Sequence, residues 1–286
     1  MSAWSEPADK HGPIPWLIVS GIRVAVVTGG HKFDRSAFLD VFDSIDGIDW
    51  THVEHPEAID LVQPARAADF DVFVMYDMPG IEFTRAVPPA KLLPPPPDYV
   101  TAFDALLVAG KGMVFLHHAI ASWPSWEEYA HVIGGRFHYQ PARLAGVDYP
   151  DSGYRHDVTH TVEVINPAHP ICAGLPASFT ITDEVYLYAV MEDDVLPLMR
   201  SDYDFVDRNF FSADRAIRGD RDNQSDTGWR HPVGSNLVAW TRIAGRSPIA
   251  YLQFGDGPTT YVDPNYRLIL ANAIRWAADS GGHDEW

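Results

Sequence analysis

The sequence has a single cysteine, Cys172, and this scarcity excludes an intramolecular disulfide. A chain of 286 residues buries about three quarters of its unfolded surface, so it needs no covalent or metal staple to fold. A sequence without disulfides is typical of a reducing compartment, and we expect a cytoplasmic protein. Any metal that binds would therefore serve the function.

Basic residues are also scarce. The 21 lysines and arginines stand against 39 acidic residues, which gives a formal charge of −18. A surface of this sign repels nucleic-acid phosphates and anionic membranes. We therefore expect neither nucleic acid nor a membrane as a partner.

Long apolar runs are missing from the start of the chain. The opening "MSAWSEPADKHGPIPWLIVSG" is acidic and broken by proline, and it matches neither a signal peptide nor a membrane span. We interpret residues 1–21 as an N-terminal tail, 22–278 as a single domain and 279–286 as a C-terminal tail. Residues 202–226 alternate Asp with Arg, which predicts a polar surface loop.

Short β-branched runs alternate with helical patterns through the first half. "IRVAVVTGG" predicts a strand, and "DRSAFLDVFDSIDG" predicts a helix capped by Asp34. Two further strands are predicted, one in "DWTHVEH" and one that ends at Asp77. The proline-rich stretch 88–97 predicts a surface loop, and Asp98 is the expected cap of a further helix. This order predicts an α/β fold with a mainly parallel sheet and helices on both faces. The second half alternates in strand fashion, which predicts a β-rich C-terminal half.

Polar side chains follow the predicted strands where these end. His31, Asp77, and the pair His117 and His118 each come after an apolar run. Ligands of such sheets bind at the carboxyl ends of the strands, so we expect these residues to line one crevice. Successive strand residues face opposite ways, so at most one histidine of the pair should point into the crevice. We choose His118.

The segment "GMVFLHHAIASW" has the strand, turn and helix order of a nucleophile elbow, with histidine where Ser or Cys would stand. This disfavours covalent acyl chemistry. In "DEVY", Asp183 and Glu184 are adjacent in a β-rich stretch, so one should face inward as a general base or orienting group and the other should face water. Trp123 is a candidate for stacking on the C–H face of a sugar.

Metal-ligand residue types are present without a metal-binding spacing. HxH and HExxH are both missing, and the nearest pattern is "RHDVTH". Its histidines, 156 and 160, would share one face of a regular strand about 13 Å apart, too far for one zinc. The sequence therefore neither predicts nor excludes a divalent metal ion as a cofactor. The candidate ligands are His31, Asp77, His117, His118, His138, His160, His169 and Glu184.

Seven fragments taken in order resemble one family. "VVTGGHKFD", "VMYD", "GMVFLHHAIASW", "IGGRFHY", "HPICAGL", "DEVY" and "NAIRW" are similar to the ThuA-like trehalose-utilisation proteins over residues 22–278. The resemblance implies a flavodoxin- or glutamine-amidotransferase-like fold whose amidotransferase cysteine is replaced by the His117 and His118 pair. It also implies a sugar as the small-molecule partner, namely trehalose, a related disaccharide or its 3-keto form. The positions that match the family's site are His31, Phe33, Asp77, His117, His118, His169, Asp183, Glu184 and Tyr186.

Together these observations give one hypothesis and two alternatives. The hypothesis is a hydrolase or lyase of glycosides, not a glutamine amidotransferase, with His118, Glu184 and His31 as catalytic groups. The expected substrate contacts are Phe33, Asp77, His117, Trp123, His169, Asp183, Tyr186 and Asp256, the last of which stands where many relatives carry a histidine. The alternatives are a non-catalytic sugar-binding or regulatory module and a metal-dependent hydrolase. The sequence is also compatible with a homo-oligomer.

Overall fold

The computed structural model describes residues 21–219 and 224–279, so residues 1–20 and 280–286 of the expected tails lie outside it. The strands are β1 (Ile22–Gly29), β2 (Ile48–Glu54), β3 (Val72–Asp77), β4 (Ile81–Phe83), β5 (Ala90–Leu92), β6 (Gly112–Leu116), β7 (Gly135–Arg136), β8 (Ala142–Leu144), β9 (Val147–Tyr149), β10 (Gly153–Val164), β11 (Ser178–Leu187), β12 (Ala189–Val190), β13 (Leu196–Ser201), β14 (Phe211–Ser212), β15 (Leu237–Ala244) and β16 (Ser247–Leu252). The α-helices are α1 (Arg35–Asp43), α2 (Ala58–Leu61), α3 (Pro64–Ala67), α4 (Pro97–Ala109), α5 (Glu127–Ile133), α6 (Ala213–Arg218), α7 (Pro258–Tyr261) and α8 (Pro264–Ala278). Among the described residues, no helix is long and apolar enough to cross a membrane.

One large sheet organises the chain, in the order β11, β10, β13, β15, β16, β6, β3, β1, β2, with β14 paired to β10. The strands β16, β6, β3, β1 and β2 run parallel to one another. The strands from β15 to β11 are antiparallel and extend this parallel region. The prediction of an α/β protein with a mainly parallel central sheet and a β-rich C-terminal half is confirmed.

Both faces of the sheet are covered by helices. Along β1, Val24 and Val26 join the core beneath α1, α7 and α8, whereas Ala25 and Val27 join the core beneath α2 to α5. This alternation follows from the two-residue period of a strand buried on both faces. The prediction of helices on both faces is therefore also confirmed.

Some element boundaries differ from their predictions. Asp34 caps α1 as expected, because its carboxylate accepts a hydrogen bond from the amide of Ala37 at 3.0 Å. The helix α4 begins at Pro97, so Asp98 lies within its first turn instead of capping it. The proline-rich stretch contains β5, which pairs with β4. The acidic stretch 202–226 contains β14 and α6 as well as loop, and residues 220–223 lie outside the description.

The antiparallel extension does not continue as a flat sheet. In a flat sheet the five strand spacings from β11 to β6 would separate these strands by about 24 Å. Instead, a carboxylate oxygen of Glu184 on β11 lies 3.1 Å from His117, the residue that follows β6. The sheet therefore curls until β11 lies across the carboxyl ends of the parallel strands, and this curl creates the site.

Candidate active site

A cavity of about 190 Å³ lies at the carboxyl ends of the parallel strands, between the curled sheet and α6. Its lining combines ionisable groups with aromatic rings, and α6 contributes small and aliphatic side chains. The lining residues are His31, Phe137, Tyr139, Tyr154, His156, Glu184, Tyr186, Ala213, Ala216 and Ile217.

Glu184 is the charged centre of the site. Its side chain is 6% exposed, and it lies between two imidazoles, with Oε2 3.1 Å from Nε2 of His117 and Oε1 2.8 Å from Nδ1 of His156. Burial alone would raise the pKa of Glu184, but the hydrogen bonds from these histidines hold that pKa well below its usual range. Glu184 is therefore ionised and stabilises positive charge on both of its partners.

His117 is the buried partner of Glu184. Its Nδ1–H donates to the carbonyl oxygen of Gln253 at 2.7 Å, and this bond directs Nε2 at Glu184 and at the hydroxyl of Tyr186, 2.6 Å away. The carboxylate of Asp256 approaches the same nitrogen at 3.5 Å. Burial opposes protonation of His117, yet hydrogen bonds and attraction from Asp256 and Glu184 outweigh it and raise the pKa well above its ordinary value.

The strand ends before the histidine pair, and neither of the two lines the cavity, so the choice of His118 as the one that points into it is wrong. His117 has φ +48° and begins a 3₁₀ turn, so strand alternation does not apply to it. The ring of His118 lies between those of His31 and Tyr76, with centroids 4.5 and 4.2 Å away, and its Nε2–H donates to the carbonyl of Tyr76. His118 is 2% exposed, and burial holds its pKa well below the ordinary value. The ring of His118 packs against that of His31. The hydrogen bonds to Glu184 come from His117 and His156 instead.

His31 reaches the cavity by a tight turn after β1. Gly30 has φ +83°, and a Cβ at that position would lie 2.3 Å from the carbonyl oxygen of Met78, so only glycine fits. The turn places His31 on the cavity wall. Desolvation there, followed by the nearby His117, lowers the pKa of His31.

Asp183 is a positioning residue of the loop after β16. Its carboxylate accepts hydrogen bonds from the amides of Gly255 at 2.7 Å and Asp256 at 3.0 Å. Burial raises the pKa of Asp183 to about 6. Both carboxylates of the pair are at least 94% buried, so the expectation that one of them faces water is wrong. Asp183 instead holds the loop that carries Asp256 beside His117.

Of the eight expected substrate contacts, only Tyr186 lines the cavity, and three of the others are Asp77, Trp123 and Phe33. Asp77 is fully buried and pairs with Nε2 of His55 at 2.7 Å. Trp123 is 4% exposed and packs near His55, so its face is not available for a sugar. Phe33 packs edge-on against Tyr76 with ring centroids 5.3 Å apart. None of the three is therefore placed to contact a sugar in the cavity.

His169 lies at the opposite ends of the parallel strands from the cavity, which corrects its assignment as a substrate contact. Its ring packs against Trp276 near the end of α8, with centroids 5.3 Å apart. The neighbouring Ala277 is so close to Gly112, at the start of β6, that a Cβ on the glycine would meet it at 2.1 Å. His169 is thus at the amino ends of the parallel strands, away from the cavity.

His156 is the main site residue that the sequence interpretation missed. A bulge between Arg155 and Val158 adds one residue to β10, so side chains on its two sides change faces. His156 consequently faces Glu184, whereas His160 is buried 2.7 Å from the hydroxyl of Ser201. The prediction that the two histidines share a face is wrong. Asp157, with φ +54°, marks the bulge, but no local sequence signal identifies it.

One group of ligand-type atoms comes together among the described residues. It combines His117, Glu184 and Asp256, whose atoms all lie within 4.8 Å of one another. The other candidate ligands from the sequence do not join it. Because His117 favours its protonated form, a cation would have to displace that proton before it could bind.

Comparisons with known proteins agree with this architecture. Residues 23–277 match the family model ThuA, described as trehalose utilisation. Similar solved structures include ThuA-like proteins from Parabacteroides merdae ATCC 43184 (13% identity, TM-score 0.61, 90% of each chain) and Bacteroides uniformis ATCC 8492 (17%, 0.61, 93% of this chain and 95% of the other). A cytoplasmic protein from Salmonella typhimurium is also similar (13%, 0.53, 90% and 99%). None of the curated proteins compared with the chain matches it. At these identities the solved structures show the shared fold.

Proposed function

The chain belongs to the ThuA family of trehalose-utilisation proteins, and on that premise we propose that it is an enzyme that converts a sugar by acid/base catalysis beside Glu184. One observation carries the proposal. His31, His156 and Glu184 line the same cavity although they come from three separate parts of the chain. A module that only binds sugar has no need for two imidazoles and a carboxylate around one ligand.

The aromatic side of the cavity suits a sugar ring. Phe137 packs edge-on against Tyr139 and Tyr186, with ring centroids 5.1 and 5.0 Å away. Such rings offer an apolar face to the C–H side of a pyranose, and the ionisable groups of the same cavity offer partners for its hydroxyls. The lining therefore combines the two kinds of surface that a carbohydrate requires.

The size of the cavity supports entry of one sugar ring. Its volume of about 190 Å³ is below the roughly 300–1,000 Å³ that is usual for drug-sized ligands. The second ring of a disaccharide would lie outside, over Ala216 and Ile217 of α6. The substrates we propose are disaccharides or their 3-keto glycosides, held by the ring that reacts.

A 3-keto sugar needs no covalent nucleophile. The carbonyl acidifies the hydrogen on the adjacent C2, so a base can remove that proton while the electrons of the C–H bond form a C1=C2 double bond. The glycosidic C1–O bond breaks, and the departing oxygen takes a proton from an acid. The reaction is redox-neutral, and it asks the protein for one proton acceptor and one proton donor. Addition of water to the product would complete a hydrolysis.

Metal-assisted hydrolysis is the second candidate. The observation in its favour is the close approach of His117, Glu184 and Asp256. The main proposal also includes a sugar as the partner, which the family supports, and a cytoplasmic location, which the lack of disulfides supports.

The test is product analysis after incubation with trehalose, sucrose and their 3-keto forms, with and without divalent metal. We expect turnover of at least one sugar without added metal, and a loss of about 10²- to 10⁴-fold in Glu184→Gln. Glu127→Gln, which changes an exposed carboxylate near His131, is the matched control. Binding without turnover would instead support the non-catalytic module, and turnover only with a cation would support the metal-assisted reaction.

A further inference from the structure

We infer that Asp151 is a positioning residue that sets the selectivity of the cavity for disaccharides by holding α6 in place. Asp151 is 6% exposed and does not line the cavity, so it acts through the helix over which we place the second sugar ring. The inference rests on the proposed function and assigns its preference for a disaccharide to one buried carboxylate.

The carboxylate of Asp151 binds the start of α6. Its Oδ2 accepts a hydrogen bond from the hydroxyl of Ser212 at 2.5 Å and another from the amide of Asp214 at 3.0 Å. Because this hydroxyl gives its one proton to Asp151, its lone pairs are left for the amide of Arg215, which donates to it at 3.2 Å. Asp151 and Ser212 together therefore satisfy two amides that the first turn leaves without a helical partner.

The helix α6 depends on these bonds more than a long helix would. It has six residues, and a helix of this length is not stable by itself in water. Its first amide, that of Ala213, donates to the carbonyl oxygen of Ser152 at 2.9 Å. The side chains of Ala213, Ala216 and Ile217 share one face of the helix, and all three line the cavity. A shift at the start of α6 would therefore move three side chains of the lining.

The segment that holds α6 is also bound to the aromatic part of the lining. The amide of Ser152 donates to the carbonyl oxygen of His138 at 2.8 Å, and the hydroxyl oxygen of Ser152 accepts from the amide of His138 at 2.8 Å. His138 lies in the chain between Phe137 and Tyr139, and both of these rings line the cavity. This short segment therefore sets the distance between α6 and the aromatic rings.

Asp151 also binds the chain where it returns from α6. Its Oδ1 accepts a hydrogen bond from the indole Nε1–H of Trp229 at 3.0 Å. A Cβ on Gly153 would meet the ring of Trp229 at 2.6 Å, so the indole packs directly on the start of β10. One oxygen of the carboxylate thus holds α6, and the other holds the returning chain.

The first arm of the test follows α6 without any turnover, by hydrogen exchange. We expect Asp151→Ala and Ser212→Ala each to speed exchange of the α6 amides at least about tenfold, because a hydrogen bond to a charged group is lost. The amides of α8 should exchange as in the wild type. Asp148→Ala, which removes an exposed carboxylate three residues earlier, is the matched control. Unchanged exchange of α6 in both variants would overturn the role of Asp151.

The second arm compares a disaccharide with a monosaccharide. We expect Asp151→Ala to raise KM for the disaccharide that turns over at least about tenfold while kcat stays within about threefold, because the lost contact is made before the chemical step. The inhibition constant of glucose should change much less, since glucose has no second ring to place over α6. A loss of folded protein alone would lower kcat and leave KM unchanged, so the two effects are separable.

Asp151→Asn separates the two oxygens of the carboxylate. Its amide oxygen can keep the bonds from Ser212 and Asp214, whereas its NH₂ group then faces the indole N–H of Trp229 and that bond is lost. We therefore expect Asp151→Asn and Trp229→Phe to be less stable than the wild type but to keep its KM. An equal rise of KM in Asp151→Asn and Asp151→Ala would contradict an action through α6.

The outcomes for the inference and for the proposed function can be told apart. An active wild type whose KM for the disaccharide is unchanged in Asp151→Ala would overturn the inference alone. A wild type that converts none of the sugars would overturn the proposed function and, with it, the assignment of selectivity to Asp151.

Discussion

Nε2 of His117 lies 3.1 Å from Oε2 of Glu184 although the two residues are 67 positions apart in the chain. The contact joins the turn after β6, in the parallel part of the sheet, to β11 at its far antiparallel edge. Because both groups are almost completely buried, each depends on the other for compensation of its charge. This ion pair joins the curled part of the sheet to its parallel part.

Removal of the imidazole should therefore destabilise the protein. We expect His117→Gln to lower the free energy of unfolding by about 3–5 kcal/mol, because Glu184 then stays buried without its inner charge partner. Denaturant unfolding at neutral pH measures the change. The combined His117→Gln and Glu184→Gln variant should recover part of the loss. An unchanged midpoint in the single variant would show that the pair does not hold the fold.

Acid should destabilise the protein through His160. Burial lowers the pKa of His160 to about 4 in the folded state, against an ordinary value of 6.5. The unfolded chain then binds a proton that the folded chain does not, so this contribution is complete above about pH 6.5 and is lost as the pH falls to 4. The largest effect is about 3 kcal/mol. His160→Asn should flatten the dependence of the urea midpoint between pH 6.5 and 4, and an equally steep dependence would contradict the assignment.

A larger side chain on α6 should close the cavity. Ala216 lines it, so we expect Ala216→Phe to raise KM for a disaccharide at least about tenfold by occupying space that the sugar needs. Ala216→Ser keeps the small volume and is the control at the same position. Steady-state kinetics and an unfolding curve separate lost binding from lost stability. Equal KM values for the two variants would place the sugar elsewhere.

The turn that presents His31 should tolerate no side chain. Gly30→Ala brings a Cβ within 2.3 Å of the carbonyl oxygen of Met78, whereas Gly47→Ala has a similar positive φ, +82° against +83°, and nothing within 4 Å. Both variants bear the left-handed cost of roughly 1–2 kcal/mol. Only Gly30→Ala should also lose sugar turnover, because the turn must shift and His31 with it. Equal activity in the two variants would show that His31 takes no part in catalysis.

The local elements could be predicted because their causes are local. The alternation of Val24 with Ala25 follows from a strand buried on both faces, and the cap at Asp34 depends on an amide three residues away. The positions of His31, Asp77 and His117 after strands followed in the same way. A residue at a strand end can face the cavity or lie behind it, however, and the local pattern is the same in both cases.

The sequence by itself determined the parallel strands of the core, the helices on both faces and the family, because periodicity, capping and the order of the fragments are local properties of the chain. Only the tertiary structure decided that Glu184 contacts His117 and His156. It also decided that His118 packs against His31 and that His169 lies at the amino ends of the parallel strands. The physical reason is that these contacts depend on many residues at once. The twist between neighbouring strands is small, but it adds up over many strands to the curl of the sheet, and a single extra residue in β10 reverses which side chains face the cavity.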